Sequence, residues 1–163
     1  PTITFALSAS KIVENSATTV TFTATPSVVS GKDITIPFTL SGTATETVEY
    51  TVSATQFVIP ANAPSASVTI STSGLDDTIV EILETINFNI GTLVNATTTT
   101  TLVSLNLESD DNPTITSIVA SATTIAEHES TTITGTLDQA SSRDALVSIA
   151  LSGTAANDLD FYS

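Results

Sequence analysis

The sequence contains no cysteine, methionine or tryptophan, and only 3 of its 163 residues are Lys or Arg. Without cysteine, the chain has no disulfide bonds, no thiolate metal ligands and no cysteine nucleophile. Against the 3 cationic residues stand 17 acidic ones, which give a formal net charge of −14. Because a phosphate backbone needs a track of positive charge and is repelled by this negative background, we expect no nucleic-acid partner.

Long apolar runs are also missing from the sequence. No segment approaches the roughly 20 consecutive apolar residues that a membrane-spanning helix needs, so we expect no membrane span. The opening residues 1–4 (PTIT) lack the basic and apolar regions of a secretory signal peptide, so we expect that this is not the start of an intact precursor.

Thr and Ser, which number 33 and 21, supply most of the polar surface, whereas charged residues make up only 12 % of the chain. Thr, Val and Ile are frequent and long patterns of helical periodicity are absent, which favours β-strands. A hydrophobic content of 40 % argues against intrinsic disorder despite the net charge.

The chain contains an internal repeat. PTIT occupies residues 1–4 and again 113–116, and LSGTA occupies residues 40–44 and again 151–155. The offset of about 112 residues is close to the roughly 100 residues of an immunoglobulin-like domain. We therefore predict one domain over residues 1–112 and the N-terminal half of a second, truncated copy over residues 113–163. Because half a sandwich leaves one core face unburied, we expect the sequence to be part of a longer tandem array.

Alternating apolar and polar residues predict short strands throughout the first unit. In residues 18–25, for example, Val20, Phe22 and Ala24 share one face, and Thr residues occupy the other. Strands of this kind pack into two layers, so we predict an all-β fold, an immunoglobulin-like antiparallel β-sandwich of two sheets. The predicted strands cover residues 2–8, 12–14, 18–25, 33–40, 48–52, 56–59, 65–71, 79–90 and 98–107.

Acidic residues of the first unit concentrate in residues 76–84 and 110–111. In the strand that follows the first cluster, Ile86 and Phe88 must face the core, and stepping back by two places Glu84 on the same inward face. An ionised carboxylate in that position is costly unless it is paired, turned outward or bound to a cation.

A divalent cation is the solution that the composition favours. Two unit charges about 4 Å apart repel by about 1 kcal/mol in water and about 4 kcal/mol at an effective dielectric constant near 20. Lys11 and Lys32 are the only cationic side chains of the first unit and cannot offset such repulsion. Calcium accepts about 6–8 oxygen ligands in irregular loops, whereas zinc and copper prefer sulfur or imidazole, and the chain has one His and no Cys. The alternative is a set of solvated loop charges that keep the protein soluble.

Together these motifs resemble a Calx-beta repeat, a family found in sodium–calcium exchangers and in tandem arrays of bacterial surface proteins. The resemblance lies in the acidic run of residues 76–84, in LSGTA followed by Glu49-Tyr50, in an early acid and in a closing acidic pair. It implies a two-sheet sandwich whose calcium ligands lie in loops at one tip. The implied ligands are Glu14, Glu49, Asp76, Asp77, Glu81, Glu84, Asp110 and Asp111, with Glu127 and Asp160 at an incomplete site in the second repeat.

One residue departs from the family pattern. Glu49 stands where the family usually has Asp before an aromatic residue, and the longer side chain is expected to shift or weaken one site. In the second repeat Asp160 restores the usual residue, but the loop that should supply the acidic run is missing.

The sequence thus predicts a non-catalytic, calcium-binding structural and adhesion module of a large bacterial protein that is secreted or attached to the cell surface. Calcium is expected to stiffen the junctions between adjacent repeats, which are the expected partners together with a host or surface glycan or protein ligand. The alternatives are a regulatory calcium sensor and an accessory carbohydrate-binding domain of an extracellular enzyme. Catalysis is not expected, because His128 is not accompanied by a nucleophile elbow, a glycine-rich phosphate loop or a paired acid in an apolar pocket.

Overall fold

The computed structural model of the protein describes residues 1–154, which form β-strands and connecting loops without a helix. In this part of the chain, therefore, no helix is available that is long and apolar enough to cross a membrane. The strands are β1 (Ile3–Leu7), β2 (Lys11–Val13), β3 (Val20–Pro26), β4 (Ile34–Gly42), β5 (Thr51–Val52), β6 (Gln56–Ile59), β7 (Ala66–Ser71), β8 (Ile79–Val80), β9 (Glu84–Ile90), β10 (Leu102–Glu108), β11 (Ile115–Ala120), β12 (Ile133–Leu137) and β13 (Ala140–Ser141).

The strands of the first unit form a two-sheet sandwich, as the sequence predicts. One sheet has the order β1-β3-β7-β5 and the other has the order β2-β10-β9-β4-β6. Neighbouring strands run antiparallel, except that the short edge strand β2 runs parallel to β10. The alternation of apolar residues does not predict this parallel edge, which brings the ends of β2 and β10 together.

A continuous hydrophobic core joins the two sheets. Its buried members all lie between Ile3 and Leu107, so the core of the described chain belongs to the first unit. Phe22 lies at its centre, with its ring centroid 4.8 Å from that of Phe88 and 5.0 Å from that of Phe57. Burying an aromatic side chain of this kind contributes about 1.5–3 kcal/mol.

The predicted strand faces are confirmed where the pattern is regular. Val20, Phe22 and Ala24 of β3 are buried, as are Ile86 and Phe88 of β9. Glu84, two residues before Ile86, therefore begins β9 on its inward face, because successive side chains of a strand point to opposite sides.

The predicted strand over residues 79–90 is wrong, because the segment is divided into β8 and β9. Only β9 joins the sandwich, between β4 and β10, whereas β8 pairs with β13 of the second unit. The predicted strand over residues 48–52 is also too long, because the amide of Thr47 donates to the carbonyl of Tyr50 in a turn. The strand predicted over residues 98–107 begins only at Leu102.

Residues 113–154 form an antiparallel pair, β11 and β12, followed by the short strand β13. β11 lies at the repeat position of β1, and β12 lies at that of β3. Their apolar side chains remain largely exposed, for example 61 % for Ile118 and 59 % for Val119. An open apolar groove of about 330 Å³ lies between β11, β12 and residues 145–149. The boundary between residues 112 and 113 stays a prediction.

Candidate metal centre

Two groups of three carboxylates meet at one end of the sandwich. Within each group, one oxygen of every side chain lies within 4.8 Å of the others. The first group is Glu14, Asp110 and Asp111, and the second is Glu49, Glu81 and Glu84. We call these six residues, together with the neighbouring Asp77, the acidic tip.

The parallel edge of the sheet brings the first group together. β2 and β10 end side by side, since Val13 is the register partner of Glu108. The amide of Glu14 continues the ladder by donating to the carbonyl of Glu108 over 2.8 Å. Parallel strands have their carboxyl ends at the same edge, so the residues that follow β2 and β10 become neighbours. This pairing explains why acids nearly 100 positions apart in the sequence lie close in space.

A buried threonine fixes the turn that follows Glu14. The Thr72 hydroxyl donates to the carbonyl of Val13 over 2.7 Å and accepts from the amide of Ser16 over 3.1 Å. Thr72 is fully buried. Between Val13 and Ser16, Asn15 adopts a left-handed conformation with φ 47°, which Asn tolerates better than most residues. The turn holds Glu14 inward, and the side chain is only 3 % exposed.

The second group combines the start of β9 with a tight loop after β4. The amide of Thr45 donates to the carboxylate of Glu49, which is 8 % exposed. The neighbouring Tyr50 is 1 % exposed and belongs to the core cluster. Because the loop is anchored at Tyr50, Glu49 is held against the end of the sandwich beside Glu84.

The LSGTA segment fastens this loop to β9. The amides of Thr43 and Ala44 both donate to the carbonyl of Thr85, over 3.1 and 3.2 Å, and the amide of Thr85 donates to the Thr43 hydroxyl over 2.9 Å. Gly42 makes this approach feasible. It has φ 127°, and a Cβ there would lie 2.1 Å from the Thr85 carbonyl oxygen. The motif thus sets the separation between Glu49 and Glu84.

Burial and mutual repulsion raise the pKa values of three tip carboxyls. The pKa of Glu14 rises to about 7, mainly through burial and then through Asp77, Glu81, Asp110 and Asp111. The pKa of Glu84 rises to about 8, through burial and through hydrogen bonding and repulsion with Glu49. The pKa of Glu81 is raised by burial, Glu49, Asp77 and Asp111. These interactions cross from one group to the other, so the acidic tip is one electrostatic unit.

No cationic side chain within residues 1–154 neutralises the acidic tip. The one ion pair in that part of the chain joins Lys11 Nζ to Glu108 Oε2 over 2.8 Å, and it lies on the exposed surface. Three carboxylate oxygens, Glu14 Oε2, Glu84 Oε2 and Asp111 Oδ2, are buried without a hydrogen-bond partner. Unpaired buried charge is costly, so these oxygens are expected to bind a proton or a cation.

The donor set fits a hard divalent cation. All the side chains that converge are Asp and Glu, and their oxygens are the ligands that calcium prefers. The two described groups contain no His, and the chain has no Cys, so the ligands typical of zinc and copper are missing from them.

The ten predicted ligands do not all lie at the same site. Six of them form the two groups, and Asp77 is close enough to raise the pKa values of Glu14 and Glu81. Asp76, and Glu127 in the second unit, are exposed and belong to neither group. Asp160 lies outside the described residues. The assignment of these residues as metal ligands stays a prediction.

The sequence alone does not mark two residues, Thr72 and Gln139, that position tip carboxylates. Thr72 continues the inward alternation of Val68 and Ile70, so a polar residue in an apolar phase is the signal that could have found it. Gln139 donates from Nε2 to Asp111 Oδ1 over 2.9 Å. It lies in the second unit, and no local pattern marks it.

Neither any protein-family model nor any curated protein matches the chain. The resemblance to Calx-beta repeats therefore rests on motifs within the sequence.

Proposed function

We propose that the chain is a non-catalytic, calcium-binding structural and adhesion module with Calx-beta-like repeats. The observation that carries this proposal is Glu14, a carboxylate that is 3 % exposed, has an unpartnered oxygen and lies beside Asp110 and Asp111. An ionised carboxylate in that position destabilises the fold unless positive charge reaches it. Bound calcium would supply that charge and accept the carboxylate oxygens that converge within each group.

The tip residues would then act as a mechanical brace. Glu14 and Glu49 lie on separate loops, and Glu81 and Glu84 lie beside the start of β9. Calcium bound by carboxylates from these segments would hold the segments at fixed positions. Asp110 and Asp111 lie just before the second unit. Calcium bound to these two residues would therefore also limit motion between the units.

The proposed setting is a large secreted or surface-attached bacterial protein. The tandem copy and the surface rich in Thr and Ser support an exported stalk whose partners are adjacent repeats. Adhesion to a glycan or protein on another surface is part of this proposal. The carbohydrate-binding alternative gains no support, because Phe and Tyr side chains within residues 1–154 pack in or against the core and leave no sugar-stacking platform there.

Calcium titration of the wild-type chain and two variants tests the proposal. We expect wild type to bind calcium and to unfold at a higher temperature in calcium than in chelator, because a ligand that binds only the folded state stabilises it. Glu14→Gln should weaken calcium binding by about tenfold or more, since it removes a buried charged ligand. Isothermal titration calorimetry and thermal unfolding measure both effects.

Asp33→Asn is the matched control for this experiment. It also removes one negative charge, but Asp33 lies outside the acidic tip and accepts a hydrogen bond from Ala61 that Asn can preserve. We expect this variant to bind calcium as wild type does. Absence of both binding heat and a thermal shift in wild type would refute the proposal.

A further inference from the structure

The second unit contacts the acidic tip through residues 139–142, which we call the docking segment. Its strand β13 pairs in parallel with β8, with Ala140 opposite Ile79 and Ser141 opposite Val80. Ser142 extends this contact, since its amide and its hydroxyl both donate to the Val80 carbonyl, over 2.8 and 3.0 Å. The Ser142 hydroxyl also accepts from the amide of Ile82 over 3.2 Å.

This contact lies on the loop that carries tip carboxylates. Glu81 stands between Val80 and Ile82, whose backbone groups both bond to Ser142. Val80 is 3 % exposed although it is not part of the continuous sandwich core. The position of Glu81 is therefore tied to the second unit as well as to the sandwich.

A second contact reaches the other carboxylate group. Gln139 Nε2 donates to Asp111 Oδ1 over 2.9 Å, while Asp111 Oδ2 is buried without a partner. The amide therefore orients the carboxylate and leaves one oxygen for another ligand. Hydrogen bonds of this kind to a ligating carboxylate commonly tune metal affinity.

We propose that the docking segment closes the metal site, so that docking of the second unit and calcium binding favour each other. This inference rests on the proposed function, because it names the partner that regulates that same site. Gln139 positions Asp111, and Ser142 positions the segment around Glu81. Linkage between two binding events is reciprocal, so loss of the docking contacts must weaken calcium binding, and loss of calcium must loosen docking.

Calcium titration of docking-segment variants tests one direction of this coupling. In the full chain, Gln139→Ala and Ser142→Ala should each weaken calcium binding, and the double variant should do so by about tenfold, as is typical for partners of metal ligands. Gln56→Ala and Ser148→Ala are matched controls at exposed positions outside the docking segment, and we expect them to bind as wild type does. Far-ultraviolet circular dichroism checks that every variant keeps its strands.

Backbone relaxation of the wild-type chain by nuclear magnetic resonance tests the other direction and needs no variant. With calcium, residues 113–154 should tumble with the sandwich, and with chelator they should tumble faster. Equal tumbling in both conditions would overturn the inference, as would a double variant that binds calcium with unchanged affinity. If wild type binds no calcium at all, the proposed function itself fails, and this inference fails with it.

Discussion

Glu14 combines the two unfavourable features of the acidic tip, burial and repulsion between like charges, in a single residue. Burial favours its neutral form, and four nearby acids disfavour its charge further. The buried Thr72 hydroxyl nevertheless holds the turn that points it inward. A folded chain that maintains such an arrangement gains from any bound species that brings positive charge to the tip.

The free energy of unfolding of the metal-free protein should fall as pH rises from about 5 to 8. The folded pKa values of Glu14, about 7, and Glu84, about 8, lie above the ordinary value of 4.5. Across this window the folded state holds protons that the unfolded state has released, so the free energy of unfolding falls as pH rises. Calorimetry in chelator at pH 5, 6, 7 and 8 measures this trend.

Calcium and Glu14→Gln provide the controls for the pH series. Saturating calcium should flatten or reverse the fall, because the bound ion favours the ionised carboxylates. Glu14→Gln should reduce the slope in chelator, since one of the three carboxyls with raised pKa values no longer titrates. A melting temperature in chelator that increases steadily from pH 5 to 8 would contradict the assigned pKa directions.

Single residues differ in how far the sequence predicts their role. The inward position of Glu84 follows from Ile86 and Phe88, because a strand has a strict period of two. Glu14 gains its significance only from the repeat and the family resemblance, since an acid after a short strand is ordinary. Gln139 could not be predicted, because its contact with Asp111 depends on how two units meet.

Among the elements, the loop between β4 and Tyr50 depends on one glycine. The Thr43 and Ala44 amides reach the Thr85 carbonyl only because Gly42 presents no Cβ to that oxygen. The repeat predicts that LSGTA matters. Its reason, a close crossing of the backbone over β9, becomes visible only in the fold.

Gly42→Ala should destabilise the sandwich by about 2–4 kcal/mol, because it adds a Cβ 2.1 Å from the Thr85 oxygen at a φ of 127°. It should also weaken calcium binding, since the loop that carries Glu49 must move away from β9. Gly31→Ala is the matched control, because nothing lies within 4 Å of its added Cβ. Urea unfolding measures the difference, and equal stability of the two variants would contradict the role of Gly42.

Element boundaries were predicted well where core packing alone decides them and poorly where pairing partners decide them. β4 and β6 follow their apolar alternation closely, and both pair within the sandwich. The segment over residues 79–90 has a continuous strand-like composition but is divided, because its first part pairs with β13 and its second part with β4 and β10. Such a division depends on contacts distant in sequence.

The molecule as a whole carries a net charge of −14, and the acidic tip adds local repulsion to it. In chelator, raising NaCl from about 0.01 to about 0.5 M should therefore raise the melting temperature, because the screening length falls from about 30 Å to less than 10 Å. In saturating calcium the same change should have a smaller effect, since the tip is then neutralised. A melting temperature in chelator that is independent of salt would contradict this view.

The contact between β8 and β13 also gives the chain a direction. In the internal repeat, residues 27–29 of the first unit correspond in sequence position to Ala140, Ser141 and Ser142 of the second. Val28 and Val29 there are 65 % and 55 % exposed. A further unit fused ahead of Pro1 would meet this strip with its own acidic loop, and every joint would then repeat the same head-to-tail geometry. A filament assembled in this way has one polarity and no head-to-head joint, so a pull on either end is transmitted through identical couplings.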